Sequence, residues 1–142
     1  MKNNKHDVFF LGTNYINFHS NKLISRIKEE IDNIQFYNTE MPDTTNDKDL
    51  KLFFVNLNME IEMLRPKVIL ILGEIAIERI WKNKGFERDL DENLRFYYKE
   101  HNGIYYIPIK NPLKFNIFSE EVQEEHIRDL VLFISNLLER EV

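Results

Sequence analysis

Two periodicities take turns along this chain, and the points where one gives way to the other mark out its elements. Asp7-Val8-Phe9-Phe10-Leu11-Gly12 is almost continuously apolar, as a strand covered on both faces should be. Thr13 to Ser20 reads as a short polar and aromatic loop. Leu23, Ile27 and Ile31 then recur at helical spacing and predict a helix from about Asn21. Ile34 to Asn38 predicts a short second strand, and Thr39 to Asn46, rich in turn formers, a surface loop. Leu50, Phe53, Phe54, Leu57, Ile61 and Leu64 give an amphipathic helix from Asp47, stopped at Arg65 by Pro66. Lys67 to Gly73 is the clearest strand, β-branched and apolar, and a helix follows it directly from Glu74 to the Gly85 stop.

Residues 86 to 103 are polar except for Phe96-Tyr97-Tyr98, and Asn102-Gly103 predicts a turn across which Tyr97 and Tyr105 pair. Ile104 to Pro108 is the last strand, and Asn111 to Phe118 a loop. Ser119 caps a final helix to about Glu139, with Val122, Ile127, Leu130, Ile134 and Leu137 turned inward. The order β-α-β-α-β-α-β-(β)-α, joined by right-handed crossovers, predicts one α/β domain over residues 1–142: a three-layer α/β/α sandwich on a short, mostly parallel sheet of four to five strands. In such a sheet the functional crevice lies beyond the carboxyl ends of the strands, here after Gly12, Asn38, Gly73 and Pro108.

Composition narrows the chemistry. The chain has no cysteine, which removes disulfides, thiolate zinc sites and iron–sulfur clusters. His6, His19, His101 and His126 have no ligand spacing, so neither a metal nor a cofactor is expected; only His19, in the first loop, is retained as a site candidate. No apolar run approaches membrane-helix length and no secretory segment is seen, which places the protein in the cytoplasm with no membrane partner. With 24 acidic against 19 basic residues the net charge is −5, which weakens any general grip on nucleic-acid phosphate and requires a local patch for it. Lys82, Lys84, Arg88, Lys110 and Lys114 are the candidates for that patch. Glu87, Asp89, Asp91 and Glu92 read as a solvated acidic loop. Single glycines at 12 and 73 fall short of a dinucleotide fingerprint.

Two asparagine-centred segments occupy the expected strand ends, Gly12-Thr13-Asn14-Tyr15 and Pro108-Ile109-Lys110-Asn111-Pro112-Leu113. Leu64-Arg65-Pro66-Lys67 through Leu72-Gly73-Glu74-Ile75-Ala76 adds a helix, an RPK triplet, a buried strand and an LG..A turn in order. Taken together these resemble the uracil-DNA glycosylase superfamily, whose last strand ends in a histidine- or asparagine-proline-serine loop. Gly12-Thr13-Asn14 is similar to the G-x-N-P motif of its mismatch-specific branch, and Tyr37-Asn38 through Pro42 to its T-N-x-x-x-x-P region. The resemblance implies a base flipped into a pocket at the strand ends. It assigns Asn14 to orienting water and Asn111 to the leaving base or phosphate, as the catalytic pair. Gly12, Thr13, Tyr15, Phe18, Asn38 and Pro112 would line the substrate site, with Tyr15 or Phe18 as the stacking ring.

The chain departs from that pattern at reactive positions. Tyr15 stands where the motif has proline, and Leu113 where it has serine; leucine offers a phosphate only its backbone. Asparagine cannot accept a proton as a general base must. These departures imply a degenerate, non-catalytic member that binds DNA or a partner protein in repair, replication or mobile-element biology. The alternative is an active compact glycosylase, and between the two the residues leave the question of enzymatic activity open.

Overall fold

The computed structural model describes residues 6–13, 16–87 and 96–140. β1 (His6–Thr13) leads through α1 (Lys22–Glu30) to β2 (Ile34–Met41), and α2 (Asp47–Leu64) leads on to β3 (Val68–Leu72). After α3 (Glu74–Lys84) come β4 (Lys99–His101) and β5 (Ile104–Ile109), then a 3-10 turn (Pro112–Ile117) and α4 (Glu120–Glu139). The sheet order is β2-β1-β3-β5-β4, parallel throughout except that β4 pairs antiparallel with β5. This is the α/β sandwich that the pattern predicts.

The two faces of the sheet are covered by different helices. Val8, Phe10, Val68, Leu70, Tyr105 and Ile107 meet α1 and α4 on one face, and Phe9, Leu11, Ile69, Ile71 and Tyr106 meet α2 and α3 on the other. β1 steps outward to β2 under α1, and the chain returns across the sheet under α2 and α3 on the opposite face. Reversing direction and face together keeps all three crossovers in one hand, as parallel connections require. The reversal makes the junction of β1 and β3 the topological switch point.

Local chemistry fixes the helix ends. Asn21 accepts from the Ile24 N–H at 3.1 Å, Asn46 from Lys48 and Asp49 at 2.9 and 3.3 Å, and Ser119 from Val122 at 3.3 Å. α2 ends where Arg65 turns left-handed (φ 48°) and donates to the Ile61 carbonyl at 2.8 Å, just before Pro66.

Five expectations need correction. β2 runs on to Met41 instead of ending at Asn38, because Thr39, Glu40 and Met41 pair with Leu11, Gly12 and Thr13. An edge strand with one open side accommodates those polar residues. The stretch from Asn111 to Phe118 is not a plain loop but winds into the 3-10 turn, with Pro112 at its start. β5 extends one residue to Ile109. Val122 does not face inward: it is 40% exposed, and Gln123 is buried beside it, its amide donating to the Phe115 carbonyl at 2.9 Å. Tyr97 and Tyr105 are not partners across the hairpin; Glu100 stands opposite Tyr105. The Tyr105 ring meets Tyr98 edge-on at 5.2 Å, while Tyr97 turns to Trp81 on the other face.

Candidate functional site

Beyond the carboxyl ends of β1, β3 and β5 the chain opens a cleft of about 640 Å³. Three sequence segments build it. Thr13 and Ile16 come from the end of β1, Leu72 to Ala76 from the β3–α3 junction, and Lys110 to Lys114 with Ile117 from the 3-10 turn. The volume lies in the range of small-ligand sites, and its place is where open α/β sheets bind ligands.

Each wall has a local cause. Gly12 is squeezed at the top of β1: a Cβ there would sit 2.8 Å from Ile16 Cγ1 and 3.1 Å from the Leu72 carbonyl oxygen. Its bare backbone lets Ile16 fold down over the strand end, where it is 2% exposed. Gly73 adopts φ 96°, which side-chain-bearing residues rarely tolerate, and donates to the Ile109 carbonyl at 2.9 Å. That turn starts α3 at once, and no side chain caps the helix. The first-turn N–H groups of Glu74, Ile75 and Ala76 therefore have no intrahelical acceptor, and these residues line the cleft. Nearby, Thr13 contributes a hydroxyl while only 7% exposed, and the positive end of the helix meets Lys110 and Lys114. Glu74 is the one carboxylate among the described lining residues, and its Oε1 lies 3.7 Å from Lys110 Nζ. The wall thus combines apolar surface with donors suited to an anionic or carbonyl-bearing ligand.

Of the residues singled out from sequence, the structure brings Thr13, Asn111 and Pro112 together on this wall. Gly12 supports it from beneath. Asn14 and Tyr15 lie outside the described residues. Phe18 is half-buried against the α1–α4 core and not on the cleft wall, and His19 is exposed in the turn after it. Asn38 is exposed on β2 opposite Phe10, one strand away from the cleft.

The proposed basic patch divides. Lys110 and Lys114 line the cleft, while Lys84 reaches away to donate to the Asn58 side chain at 3.0 Å, and its partial burial lowers its pKa. Arg88, Asp89, Asp91 and Glu92 fall outside the described residues. Ile16, Ile75 and Ile117 were not expected at the site. Of these Ile75 had a sequence signal, since a helix that begins directly after a glycine-ended strand presents its first turn to the sheet's carboxyl edge.

On the far side of Glu74 and Lys110 a second cleft of about 580 Å³ runs along α3. Ile77, Trp81, Phe86, Tyr97 and Pro108 form its walls. Trp81 meets Phe86 edge-on at 5.2 Å and Tyr97 at 6.5 Å. Burial pushes the Tyr97 hydroxyl pKa up, and that of Tyr106, whose ring meets Phe86, up to about 12. His126 sits in a different aromatic cluster, with Phe96, Phe115 and Phe118 within 5.3 to 5.8 Å. Among the described residues no group of three or more His, Asp or Glu side chains is placed to hold a metal ion, and no helix is long and apolar enough to cross a membrane.

Neither a family model nor a curated protein sequence matches this chain.

Proposed function

We propose that this protein is a degenerate member of the uracil-DNA glycosylase superfamily that binds DNA at the switch-point cleft without cutting its glycosidic bonds. The observation that carries the reading is the composition of the cleft wall. The segments that resemble the superfamily, Gly12-Thr13, Leu72 to Ala76 and Lys110 to Leu113, meet around one cavity beneath an uncapped helix start. Backbone N–H groups, the Thr13 hydroxyl and two lysines suit a phosphate and a base edge.

The same wall is poor in groups for bond cleavage. Leu113 has no hydroxyl to anchor phosphate, Asn111 cannot take a proton from water, and Glu74, the one carboxylate on the described wall, is exposed to solvent 3.7 Å from Lys110. Binding needs donors in position; hydrolysis needs in addition an activated water. A role as a DNA-binding subunit in repair, replication or mobile-element biology fits that division, with the local lysines offsetting the overall charge of −5.

The test pairs binding with chemistry on the same oligonucleotides. Fluorescence polarisation against single-stranded and duplex DNA, taken over a range of salt, should show binding that weakens as salt rises. Lys114→Ala should reduce the slope of log affinity against log salt by about 1, the value for one lost phosphate contact. Single-turnover incubation with uracil-containing strands, followed by alkali, should leave them intact. Alkali-labile breaks would make the protein a glycosylase, and an absence of binding at low salt would refute the nucleic-acid reading altogether.

A further inference from the structure

α2 has two apolar faces. Leu57 and Ile61 are buried on one of them, with Phe53, Phe54 and Leu64 packed beside them. Leu52, Val55, Met59 and Met63 lie on the other and are 61%, 51%, 57% and 80% exposed. Their spacings of three, four and four residues set them in one stripe along the helix. Single exposed aliphatic residues are ordinary at a protein surface, but a continuous row of four marks a face that another surface covers.

The charges on α2 choose among occupants. Two lysines, Lys48 and Lys51, stand against four carboxylates, Asp47, Asp49, Glu60 and Glu62. That acidic surplus repels an anionic lipid surface and a nucleic-acid backbone alike. A second α2 running in the opposite direction fits it. Lys51 and Glu62 are exposed on the same edge of the stripe, about three turns apart. Neither side chain enters an ion pair with another described residue.

Around a twofold axis level with residue 57, Leu52 of each copy comes opposite Met63 of the other, Val55 opposite Met59, and Lys51 beside Glu62. Symmetry makes each of these contacts twice. Along the other edge Asp49 comes level with Arg65 and Glu60 with Phe54, so no α2 carboxylate meets another. A parallel pair would instead bring Glu60 and Glu62 of one copy beside those of the other.

We infer that the outer face of α2 is a self-association surface, on which a second copy of this chain docks antiparallel to form a twofold dimer. A standard interface covers about 800 Å² of each partner, and one helix seam supplies only part of that, so the dimer is weak and forms at high protein concentration. No α2 residue lines the switch-point cleft, so the inference stands apart from the DNA reading.

Sedimentation velocity tests it on the full chain. Between about 1 and 500 µM the mass should move from 17.2 kDa toward twice that value. Met59→Lys, which sets two ammonium groups near the axis, should stay monomeric throughout and keep the wild-type circular dichroism. Lys51→Glu and Glu62→Lys should each weaken the dimer about fivefold or more, and the double variant should recover wild-type association. If Met59→Lys fails to fold, the charge exchange decides alone. A wild type that stays monomeric at the top of the range would overturn the inference. So would a dimer that survives Met59→Lys, or a double variant no tighter than either single one. A monomer that floats with phosphatidylserine vesicles would assign the stripe to a membrane surface instead.

Discussion

The two long helices of this protein are nearly equal in length and opposite in commitment. α4 spans 20 residues and buries Gln123, Ile127, Leu130, Ile134, Leu137 and Leu138. α2 spans 18 and buries only Leu57 and Ile61, leaving Leu52, Val55, Met59 and Met63 between 51% and 80% exposed. The difference follows from position. With α1 beside it, α4 covers the centre of the sheet over β1, β3 and β5, whereas α2 shares the opposite face with α3. One face is closed by aliphatic and aromatic side chains packed under α1 and α4. The other carries the aromatic cleft beside α3.

The largest effect should come from the closed face. Leu130 is fully buried, and Leu130→Ala should cost about 2–5 kcal/mol, lost transfer energy plus the residual cavity, as read from urea midpoints. Met63→Ala on α2, at a position 80% exposed, should change stability by no more than about 0.5 kcal/mol. Equal costs at the two sites would dissolve the contrast and mean that Met63 is packed and not free in solvent.

Gly73 should give the intermediate effect and sharpen the contrast from the cleft side. A Cβ there would meet nothing closer than Ile16 Cδ1 at 3.7 Å, so space is not the obstacle. The obstacle is φ 96°. Gly73→Ala should cost about 1–3 kcal/mol in conformational strain. Relief of that strain would move the start of α3 and so weaken oligonucleotide binding as well. A variant with lowered stability but wild-type affinity would show that the uncapped helix start takes no part in the site.

How much of this was legible in the sequence depended on whether the signal was local. β3 and α3 were plain because Val68 to Leu72 is uniformly apolar and Gly73 marks the break between them. The end of β2 was missed because Thr39-Glu40 looks like a turn, and only its pairing with Leu11 and Gly12 makes it strand. Gln123 was missed for the same reason: nothing in a helical pattern marks a glutamine as buried until the Phe115 carbonyl is known to lie beside it. At the site, the asparagine-proline turn and the glycines could be read as strand-end features. The joining of Trp81, Phe86 and Tyr97 could not, since residues from α3, the segment after it and the approach to β4 meet only in the folded chain.

The smallest effect concerns the seam that holds the closed face together at the surface. Arg26 on α1 donates to both carboxylate oxygens of Glu124 on α4, with Nη2 to Oε2 at 3.0 Å, and also reaches Glu30 at 3.3 Å. The hydrogen bond from Arg26, with further help from the charges of Arg128 and Lys22, holds the Glu124 carboxyl below its ordinary value. A carboxyl depressed on folding binds its proton less readily in the native chain than in the unfolded one. Its stabilising contribution is therefore complete above the unfolded value near 4.5 and disappears as pH falls through the lower folded value. Both side chains are solvent-exposed enough for salt to screen them, so the contribution at neutral pH is small. Urea midpoints for the wild type and Arg26→Met should differ slightly at neutral pH and converge in acid. A difference that persists unchanged into strong acid would assign the seam to the packed stem of Arg26 instead of its charge.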